Sequence, residues 1–516
     1  EPELIGYDDP ARSRAAVEAL GAAAWTASVD YLYGEAFRRA MGEPAGYAAL
    51  RRAFYGSAPD GSPLAPAPAP DGPTPSAELI AEFTTRLAPH SLNAYHPRAL
   101  SYFTPPALLM SIVGELLAQV LNQGVDVWHA GPSGAFVEEE VGRWLCSLVG
   151  LGPESFAVLT SGGVMANFMA LTVARDVHLA RLLGLSSPPR GRQLEGIRVY
   201  ASDQTHFSIS RALDELGFPA DTLHVVPADH AFRLRGEAVE AAIAADRARG
   251  LRPLAICAVA GSTNTGAVDR MVELAAIAER EHLWLHVDAA YGGAARLSAR
   301  EAHRVAGMEL ADSITIDPHK WFFQAYDIGA LVMRRGGDLL ATFHRSPEYY
   351  RTGEAEADAH PAEEGLGSNE PLNFYQRSME GTRRFRALKL WMSWRHLGTT
   401  GLGRLVEANL EMAVYLARRI AEDAEFEAVP AEPELSVVCF RHLPGGATAA
   451  ATLDPVVLDA HQDALQVALE ASGDGWLSTT RLDGRTYLRA GIVNFLTVES
   501  DIDRLLEDLR RLAAGT

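Results

Sequence analysis

The sequence predicts an α/β protein whose larger domain is built on a mostly parallel sheet. Between about residues 110 and 390, short runs rich in apolar and β-branched residues alternate with helix-like segments, as in repeated strand–helix units. Of the 516 residues, 48% are hydrophobic and 22% are charged, which is typical of a globular protein in water. The length exceeds that of one ordinary domain, so a second unit is expected.

Seven runs are the predicted strands of this sheet. They lie at residues 156–160, 198–201, 223–226, 254–259, 283–287, 313–316 and 328–333. Helix-like segments separate many of them, as at 166–183, 236–249 and 272–281. Because sheets of this class bind ligands at the carboxyl ends of their strands, the functional residues are expected there.

The chain is predicted to have three parts. Residues 1–108 form an N-terminal helical segment, whose Pro-rich stretch at 56–75 is expected to be an extended connector. Residues 109–390 form the large domain, and residues 391–516 form a small α+β domain. The elements of the small domain are helices at 400–421 and 500–513 and strands at 436–441 and 487–492.

A polar segment interrupts the large domain. Residues 345–371 are rich in charges and glycine, and they include Tyr349 and Tyr350. A loop of this length inside a compact domain is usually a lid or a disordered segment. We therefore expect a mobile loop.

Charge and cysteine content exclude several classes of function. A formal net charge of −20 argues against nucleic acid and anionic membranes as main partners, because both require a positive surface. No apolar run reaches the length of about 20 residues that a membrane helix needs. Cys146, Cys257 and Cys439 are few and widely spaced, which predicts buried core residues, no metal site and a cytoplasmic location.

Lysine is rare in this chain. Of 46 basic residues, only Lys320 and Lys389 are lysines. Arginine stays protonated, whereas a desolvated lysine can lose its proton and act as a nucleophile. Lys320 follows a strand-like run, so it is a candidate Schiff-base lysine. Lys389 lies in a basic, helix-like stretch, where a solvated helix cation is the expected role.

Three further features lie next to predicted strands. Gly162 and Gly163 open a helix, where backbone N–H groups can bind phosphate. Asp288 ends an apolar strand, where a carboxylate needs a cation such as a protonated pyridine nitrogen. His206 could stack on a planar cofactor or act as an acid or base. Each feature alone has a structural alternative: an ordinary turn, a capping aspartate or a hydrogen-bonded core histidine.

Together, the amine, the carboxylate and the glycine turn indicate pyridoxal 5′-phosphate (PLP). From about residue 90 to residue 510 the sequence resembles the group II PLP-dependent decarboxylases, the family of aromatic-L-amino-acid, glutamate and diaminobutyrate decarboxylases. The motifs that carry the resemblance are Ser202-Asp-Gln-Thr-His206, Asp288-Ala-Ala-Tyr, Asp317-Pro-His-Lys320-Trp and Arg383-Arg-Phe-Arg-Ala-Leu-Lys-Leu-Trp391. The resemblance implies the aspartate-aminotransferase-like fold (fold type I) and a homodimer with the active site at its interface, where the N-terminal helices wrap around the partner.

The resemblance also implies residue roles. Lys320 would form the Schiff base, Asp288 would pair with the pyridinium nitrogen, and His206 would stack on the ring and contact the substrate carboxylate. Tyr349 matches the tyrosine of the mobile loop that protonates the carbanion, although Tyr350 is its neighbour. The residues implied to hold the cofactor are Gly162, Gly163, Val164, His206, Thr263, Asp288, Asp317, His319 and Lys320.

Three residues near the predicted cofactor site depart from the family pattern. Val164 and Met165 stand where hydroxyl and acidic residues are usual, and a lost hydroxyl removes a phosphate hydrogen bond worth about 1–3 kcal/mol. Asp317 stands where aromatic-specific members often have Asn. A carboxylate near a phosphate is repelled unless a cation or a hydrogen bond intervenes.

The substrate class follows from the resemblance less directly. Tyr102 and Phe103 match the segment that lines the side-chain pocket of aromatic members, which favours an aromatic L-amino acid. Asp126 stands where aromatic enzymes tend to be apolar. It would accept a substrate with a distal amine or hydroxyl if it faces the pocket, and otherwise it caps or pairs elsewhere.

The sequence supports three candidate functions unequally. A simple decarboxylase is favoured by Tyr349, which would protonate the carbanion. An aldehyde synthase, in which oxygen traps the carbanion, is the alternative within the family, and an acidic or diamino acid is the alternative substrate. A non-catalytic interaction protein is disfavoured by the intact Lys320, Asp288 and His206.

Overall fold

A seven-stranded sheet is the frame of the larger of two structural units. The computed structural model describes residues 10–34, 38–40, 46–62, 64–345 and 371–515. The larger unit comprises residues 105–417 and 429–439, and the smaller unit comprises the described residues of 1–104, 418–428 and 440–516. The N-terminal helices and most of the C-terminal elements, which were expected in separate parts, thus share one unit.

The sheet has the predicted number of strands. They are β1 (Phe156–Thr160), β2 (Ile197–Ser202), β3 (Leu223–Val226), β4 (Arg252–Val259), β5 (Trp284–Asp288), β6 (Ser313–Ile316) and β7 (Gly329–Met333). Their order is β1-β7-β6-β5-β4-β2-β3, and only β7 runs antiparallel to its neighbours β1 and β6. The prediction of a seven-stranded, mostly parallel sheet is confirmed, and each predicted strand overlaps an observed one.

Helices precede and connect the strands. They are α1 (Pro10–Tyr33), α2 (Tyr47–Tyr55), α3 (Ser76–Glu82), α4 (Leu109–Leu121), α5 (Pro132–Leu148), α6 (Gly163–Val173), α7 (Ala180–Leu182), α8 (Ser208–Glu215), α9 (Gly236–Ala248), α10 (Met271–Glu281), α11 (Gly337–Phe343), α12 (Ala387–Ala421), α13 (Ala447–Ala450), α14 (Pro455–Ser472) and α15 (Glu499–Ala513). Strands β1, β5, β6 and β7 are buried along their whole length. Burial of whole strands is typical of a sheet that is covered on both faces.

Helix α12 is interrupted at Gly398. This residue has φ 67° and ψ 168°, a conformation that glycine adopts without the steric cost of a side chain. The helix begins at Ala387, well before the predicted start at residue 400. The basic stretch around Lys389 is therefore its first turn.

A second sheet is associated with the C-terminal residues. Its strands are β8 (Phe426–Ala428), β9 (Val437–His442), β10 (Ser478–Leu482) and β11 (Arg485–Gly491), in the order β10-β11-β9-β8. Helix α14 was not predicted, although its ends carry clear signals. Asp454 Oδ1 caps the start by accepting a hydrogen bond from Val456 N at 2.9 Å, and Gly473 ends the helix with φ 77°.

The three cysteines are buried and free, as predicted. Among the described residues, no cluster of three or more His, Cys, Asp or Glu side chains could hold a metal ion. No helix in the described part of the chain combines the length and the apolar character needed to cross a bilayer.

Candidate active site

Lys320 lies in the turn that follows β6, at the carboxyl end of that strand. Its backbone N–H donates to Asp317 O at 2.9 Å, and its Nζ lies 3.0 Å from Asp317 Oδ2. Burial disfavours the ammonium, but the carboxylates of Asp317 and Asp288 outweigh this effect and raise the pKa of Lys320 above its usual value. Without a ligand, Lys320 is therefore a charged amine that must give up a proton before it can react.

Asp317 is packed tightly into the same turn. It is 2% exposed, and its Oδ1 has no hydrogen-bond partner among the described residues. A Cβ atom at Gly163 would lie 2.9 Å from Asp317 Oδ2, and one at Gly329 would lie 2.8 Å from Oδ1. Both glycines thus make room for this carboxylate. The cation that a carboxylate needs near a phosphate is present, because Lys320 pairs with it.

The glycine turn follows β1 and opens helix α6. Thr160 Oγ1 accepts a hydrogen bond from Gly162 N at 3.3 Å, and α6 begins at Gly163 without a side-chain cap. The first N–H groups of a helix have no intrahelical acceptor, and the helix dipole makes this end attractive to anions. A Cβ atom at Gly162 would lie 3.3 Å from His319 Cε1, so the turn lies against His319.

Val164 is the second residue of α6, and its side chain is 40% exposed. It therefore lies at the open end of the helix, where the family pattern predicts a hydroxyl. Its backbone N–H remains suitable for an anion, because the first turn of a helix leaves these groups free.

Asp288 is the last residue of β5 and is 7% exposed. Its Oδ1 accepts a hydrogen bond from Ala290 N at 3.1 Å, so the predicted capping role is real. Its carboxylate also acts to raise the pKa values of Lys320 and His206, which places it within electrostatic reach of both. It is therefore both a turn cap and a strand-end charge.

His206 is half-buried and lies after β2. Its Nδ1 is 2.8 Å from Ser208 Oγ, and its ring lies 4.2 Å from that of Phe207, between centroids. Burial lowers the pKa of His206, although Asp288 opposes the shift, so the imidazole is neutral at pH 7. The neighbouring turn contains Thr263, which is exposed. A hydrogen bond of 3.1 Å from Asn264 Nδ2 to Gln204 Oε1 joins this turn to the turn that contains His206.

The comparisons with known proteins agree with this geometry. The model of the pyridoxal-dependent decarboxylase conserved domain matches residues 60–443. The chain belongs to this family. It is 32% identical over 419 residues to an aromatic-L-amino-acid decarboxylase of Bacillus atrophaeus, with 81% of each chain covered. It is 31% identical over 446 residues to an L-2,4-diaminobutyrate decarboxylase of Rhizobium meliloti, covering 86% of this chain and 84% of the relative.

The fold of this decarboxylase is also that of its relatives. The crystal structure of Oryza sativa TDC with PLP and tryptamine superposes with a TM-score of 0.85 at 25% identity, covering 100% of this chain and 99% of that one. The protein is therefore a PLP-dependent carboxy-lyase of fold type I.

The residues present fit PLP. A strand-end carboxylate, a neutral imidazole and a helix N-terminus lie around the amine of Lys320, and the buried Asp317 Oδ1 is left without a partner. These groups match the needs of an aldehyde, a pyridine nitrogen, an aromatic ring and a phosphate.

Sequence reasoning missed one residue of the decarboxylase site. Asn167 is buried on α6, and its Nδ2 donates to Asp288 Oδ2 at 2.8 Å. It lies in the glycine motif, but the sequence gives no signal for a buried amide contact across 121 positions. Only the packing of α6 against the sheet brings the two side chains together.

The predicted substrate residues lie in different units. Tyr102 and Phe103 belong to the smaller unit, where Tyr102 packs edge-on against Trp476 and Phe103 lies under the guanidinium of Arg489. Asp126 belongs to the larger unit. It is half-buried, and its carboxylate has no hydrogen bond or ion pair with the described residues. No contact seen here supports the capping alternative for Asp126.

Tyr349 and Tyr350 lie outside the described residues, which omit 346–370. The predicted loop and its proton donor therefore stay predictions.

The prediction for Lys389 is wrong. The side chain is 1% exposed, because the first turn of α12 packs against α4, where a Cβ atom at Gly114 would lie 2.6 Å from Lys389 Cα. Its Nζ lies 2.8 Å from Glu115 Oε2, without the geometry of a hydrogen bond. Burial and the nearby guanidinium of Arg384 lower the pKa of Lys389 to about 7.

Proposed function

We propose that this enzyme decarboxylates an L-amino acid to the corresponding amine and carbon dioxide, with an aromatic substrate favoured. The observation that carries the proposal is the convergence of Lys320, Asp288 and His206 at the carboxyl ends of the strands. The aromatic preference is supported by Tyr102 and Phe103 and by the relative from Bacillus atrophaeus.

Each site residue has a proposed task. Lys320 would hold the cofactor covalently, and the backbone of Gly162, Gly163 and Val164 would bind its phosphate. His319 would help from the neighbouring turn, and its pKa is lowered by burial, so it is a neutral donor. When bound, PLP supplies an electron sink for the bond that breaks at the α-carbon.

The proton on the ring nitrogen is the proposed task of Asp288. Its carboxylate is oriented by Asn167 Nδ2 and Ala290 N, which both donate hydrogen bonds to it. An ionised carboxylate would hold a proton on a pyridine nitrogen beside it. His206 would cover the ring and contact the substrate carboxylate, and Thr263 would line the edge of the site.

Tyr349 is the proposed proton donor to the α-carbon. A closing loop that carries it would also exclude water and oxygen. This residue separates a decarboxylase from an aldehyde synthase. The former releases amine and carbon dioxide, whereas the latter consumes oxygen and water and releases aldehyde, ammonia, carbon dioxide and peroxide.

A diamino acid is the second candidate substrate. Asp126 favours it, because a carboxylate that forms no hydrogen bond or ion pair with the described residues is available to the distal amine of such a substrate. The relative from Rhizobium meliloti, an L-2,4-diaminobutyrate decarboxylase, supports the same alternative.

A homodimer is proposed as the working assembly. Helix α4 exposes an apolar stripe on one face, with spacings of three and four residues. The exposed members of this stripe are Leu109, Leu116, Leu117, Val120 and Leu121. A patch of this kind is typical of a surface that another protein covers. A monomeric, active enzyme in analytical ultracentrifugation would contradict this proposal.

A cytoplasmic location is also proposed for the enzyme.

The substrate is identified by amine release. The purified enzyme with added PLP is given aromatic, acidic and diamino L-amino acids, and amine, aldehyde and peroxide are measured separately. We expect amine from an aromatic substrate and no peroxide. Release from diaminobutyrate alone, abolished in Asp126→Asn, would transfer the proposal to the second candidate.

A further inference from the structure

The side-chain amide of Asn167 joins the two residues that are proposed to contact the cofactor ring. Asn167 is 1% exposed on α6. Its Nδ2 lies 2.8 Å from Asp288 Oδ2 and 2.8 Å from Ser208 Oγ. Ser208 Oγ in turn lies 2.8 Å from His206 Nδ1. A continuous hydrogen-bonded path therefore runs from the strand-end carboxylate to the imidazole.

The other end of this amide is anchored in the sheet. Asn167 Oδ1 accepts a hydrogen bond from Thr315 Oγ1 at 2.6 Å and lies 2.9 Å from His286 Nε2. His286 Nδ1 lies 2.9 Å from Ser313 Oγ, which accepts a hydrogen bond from Trp284 Nε1 at 2.9 Å. All of these groups are buried on β5 and β6. The amide is thus held at all four of its hydrogen-bonding positions.

The chemistry of the partners fixes the orientation of the amide. An ionised carboxylate can only accept, so the nitrogen of Asn167 must face Asp288 and its oxygen must face Thr315. Burial lowers the pKa of His286 to about 4, so this ring is neutral and donates its Nε2–H to Asn167 Oδ1. Its Nδ1 then accepts from Ser313, which is consistent with the Trp284 contact.

The same reasoning locates the proton of His206. Ser208 Oγ accepts a hydrogen bond from Asn167 Nδ2, so its own O–H is free to donate a hydrogen bond to His206 Nδ1. The backbone N–H of Ser208 also points at this nitrogen, at 3.3 Å, and a backbone N–H can only donate. Nδ1 is therefore the acceptor, and the proton of the neutral ring lies on Nε2.

We propose that Asn167 is a positioning residue, which orients the Asp288 carboxylate and holds the His206 proton on Nε2. The inference rests on the proposed function, since it assigns a task to these residues in decarboxylation. A donor on Nε2 can bind a substrate carboxylate, whereas the other tautomer presents a lone pair that repels it. One amide would thus orient both the Asp288 carboxylate, which is proposed to face the pyridine nitrogen, and the His206 imidazole, which is proposed to face the substrate carboxylate.

The tautomer can be measured in the cofactor-free protein. The histidine rings are labelled with 15N, and the His206 signals are identified by their loss in His206→Asn. At pH 8 we expect the nitrogen shift of an unprotonated Nδ1 and a protonated Nε2. A proton on Nδ1 of the wild-type protein would overturn the proposal, whatever the activity of the enzyme.

Three variants separate the branches of the path. Asn167→Leu removes every hydrogen bond of the amide, and we expect a mixture of tautomers and about tenfold weaker PLP binding in direct titration. Ser208→Ala breaks only the side-chain link to His206 and keeps the backbone N–H of Ser208, so it should weaken the preference for Nε2–H only in part and weaken PLP binding less. Thr315→Val is the matched control, because it removes one anchor and leaves both branches, so the Nε2–H form should persist.

Two results would contradict the role of Asn167. One is an Asn167→Leu protein with the wild-type tautomer and wild-type PLP affinity, and the other is a Ser208→Ala protein whose PLP affinity falls as far as that of Asn167→Leu. If Asn167→Leu does not fold, the nitrogen spectra of the wild-type protein and of Ser208→Ala still test where the His206 proton lies. A wild-type enzyme that decarboxylates none of the amino acids tested would refute the proposed function and leave the tautomer result standing.

Discussion

The two lysines of this arginine-rich chain lie in sites that move their pKa values in opposite directions. At Lys320, burial is outweighed by the carboxylates of Asp317 and Asp288, and the pKa rises. At Lys389, burial and Arg384 lower the pKa to about 7, although Asp327 opposes them. Glu115 lies beside Lys389, but its other oxygen pairs with Arg384, so one carboxylate serves two cations. Desolvation acts alike on both amines, and the balance of neighbouring charges decides the outcome.

This difference assigns different tasks to the two amines. Lys320 is at the carboxyl end of β6 beside a helix N-terminus and carries its proton until a ligand changes its surroundings. Lys389 is enclosed where α12 packs against α4, and because its pKa is about 7 it loses its proton as the pH rises above neutrality. An always-charged arginine would be costly at the second site.

The largest expected effect is the loss of the amine at position 320. Lys320→Ala should lower kcat by more than about 10³-fold, because no other described residue offers an amine at the site. Lys320→Arg keeps the charge beside Asp317 and should lose as much activity. Steady-state amine release measures both variants, and an unchanged melting temperature shows that they are folded. An arginine variant with substantial activity would refute the covalent role.

The next effect concerns stability at position 389. Lys389→Arg places a permanent charge in a buried site where Glu115 already pairs with Arg384, and it should destabilise the protein by about 3–5 kcal/mol, because one carboxylate cannot fully compensate two buried cations. Urea unfolding at pH 8 measures this loss. Lys389→Met, which keeps the length and removes the charge, is the control and should cost less. Equal losses in the two variants would contradict a neutral amine.

The depressed pKa of Lys389 also has a pH signature. The unfolded chain binds this proton up to its usual pKa of 10.5, whereas the folded protein releases it near pH 7. The contribution of this group to folding stability therefore rises between about pH 7 and pH 10.5. Lys389→Met should lack this part of the pH dependence in parallel unfolding titrations. A variant curve parallel to that of the wild type would show that Lys389 does not titrate in this range.

A smaller effect is expected from the partner of Lys320. Asp317→Asn removes the carboxylate that raises the pKa of Lys320, so the free amine becomes more abundant at pH 8. For each pKa unit lost, labelling of Lys320 by an amine-specific reagent in the cofactor-free protein should be about tenfold faster. The wild-type protein, labelled in parallel under the same conditions, is the reference. Identical labelling rates in variant and wild type would mean that Asp317 does not control this proton.

The sign of the corresponding stability effect is the opposite of that for Lys389. The pKa of Lys320 lies above its unfolded value of 10.5, so its pairing stabilises the folded protein below that pH. This contribution disappears as the pH rises through the folded pKa. The two lysines are thus distinguishable by the direction of their pH dependence as well as by their chemistry.

Much of the fold and part of the site followed from the sequence. The buried strands are rich in apolar and β-branched residues. Asp288 ends one of them and Lys320 follows another, where a parallel sheet collects functional groups. Helix α14 was missed although Asp454 and Gly473 mark its ends. Both capping signals are local, so this helix was predictable from the sequence.

Other features could not be predicted from local sequence. The burial of Lys389 depends on the packing of α12 against α4, which joins residues far apart in the chain. The contacts of Asn167 likewise require α6, β5 and β6 to meet. Long-range packing of this kind leaves no pattern in a single sequence, and it decides which polar groups are paired.

The rarity of lysine makes the central claim directly measurable. The enzyme is incubated with PLP and treated with borohydride, which fixes any covalent adduct to an amine, and its peptides are then analysed by mass spectrometry. The account predicts the phosphopyridoxyl mass on the peptide that contains Lys320 and on no other lysine. An adduct on Lys389, or none on Lys320, would contradict it.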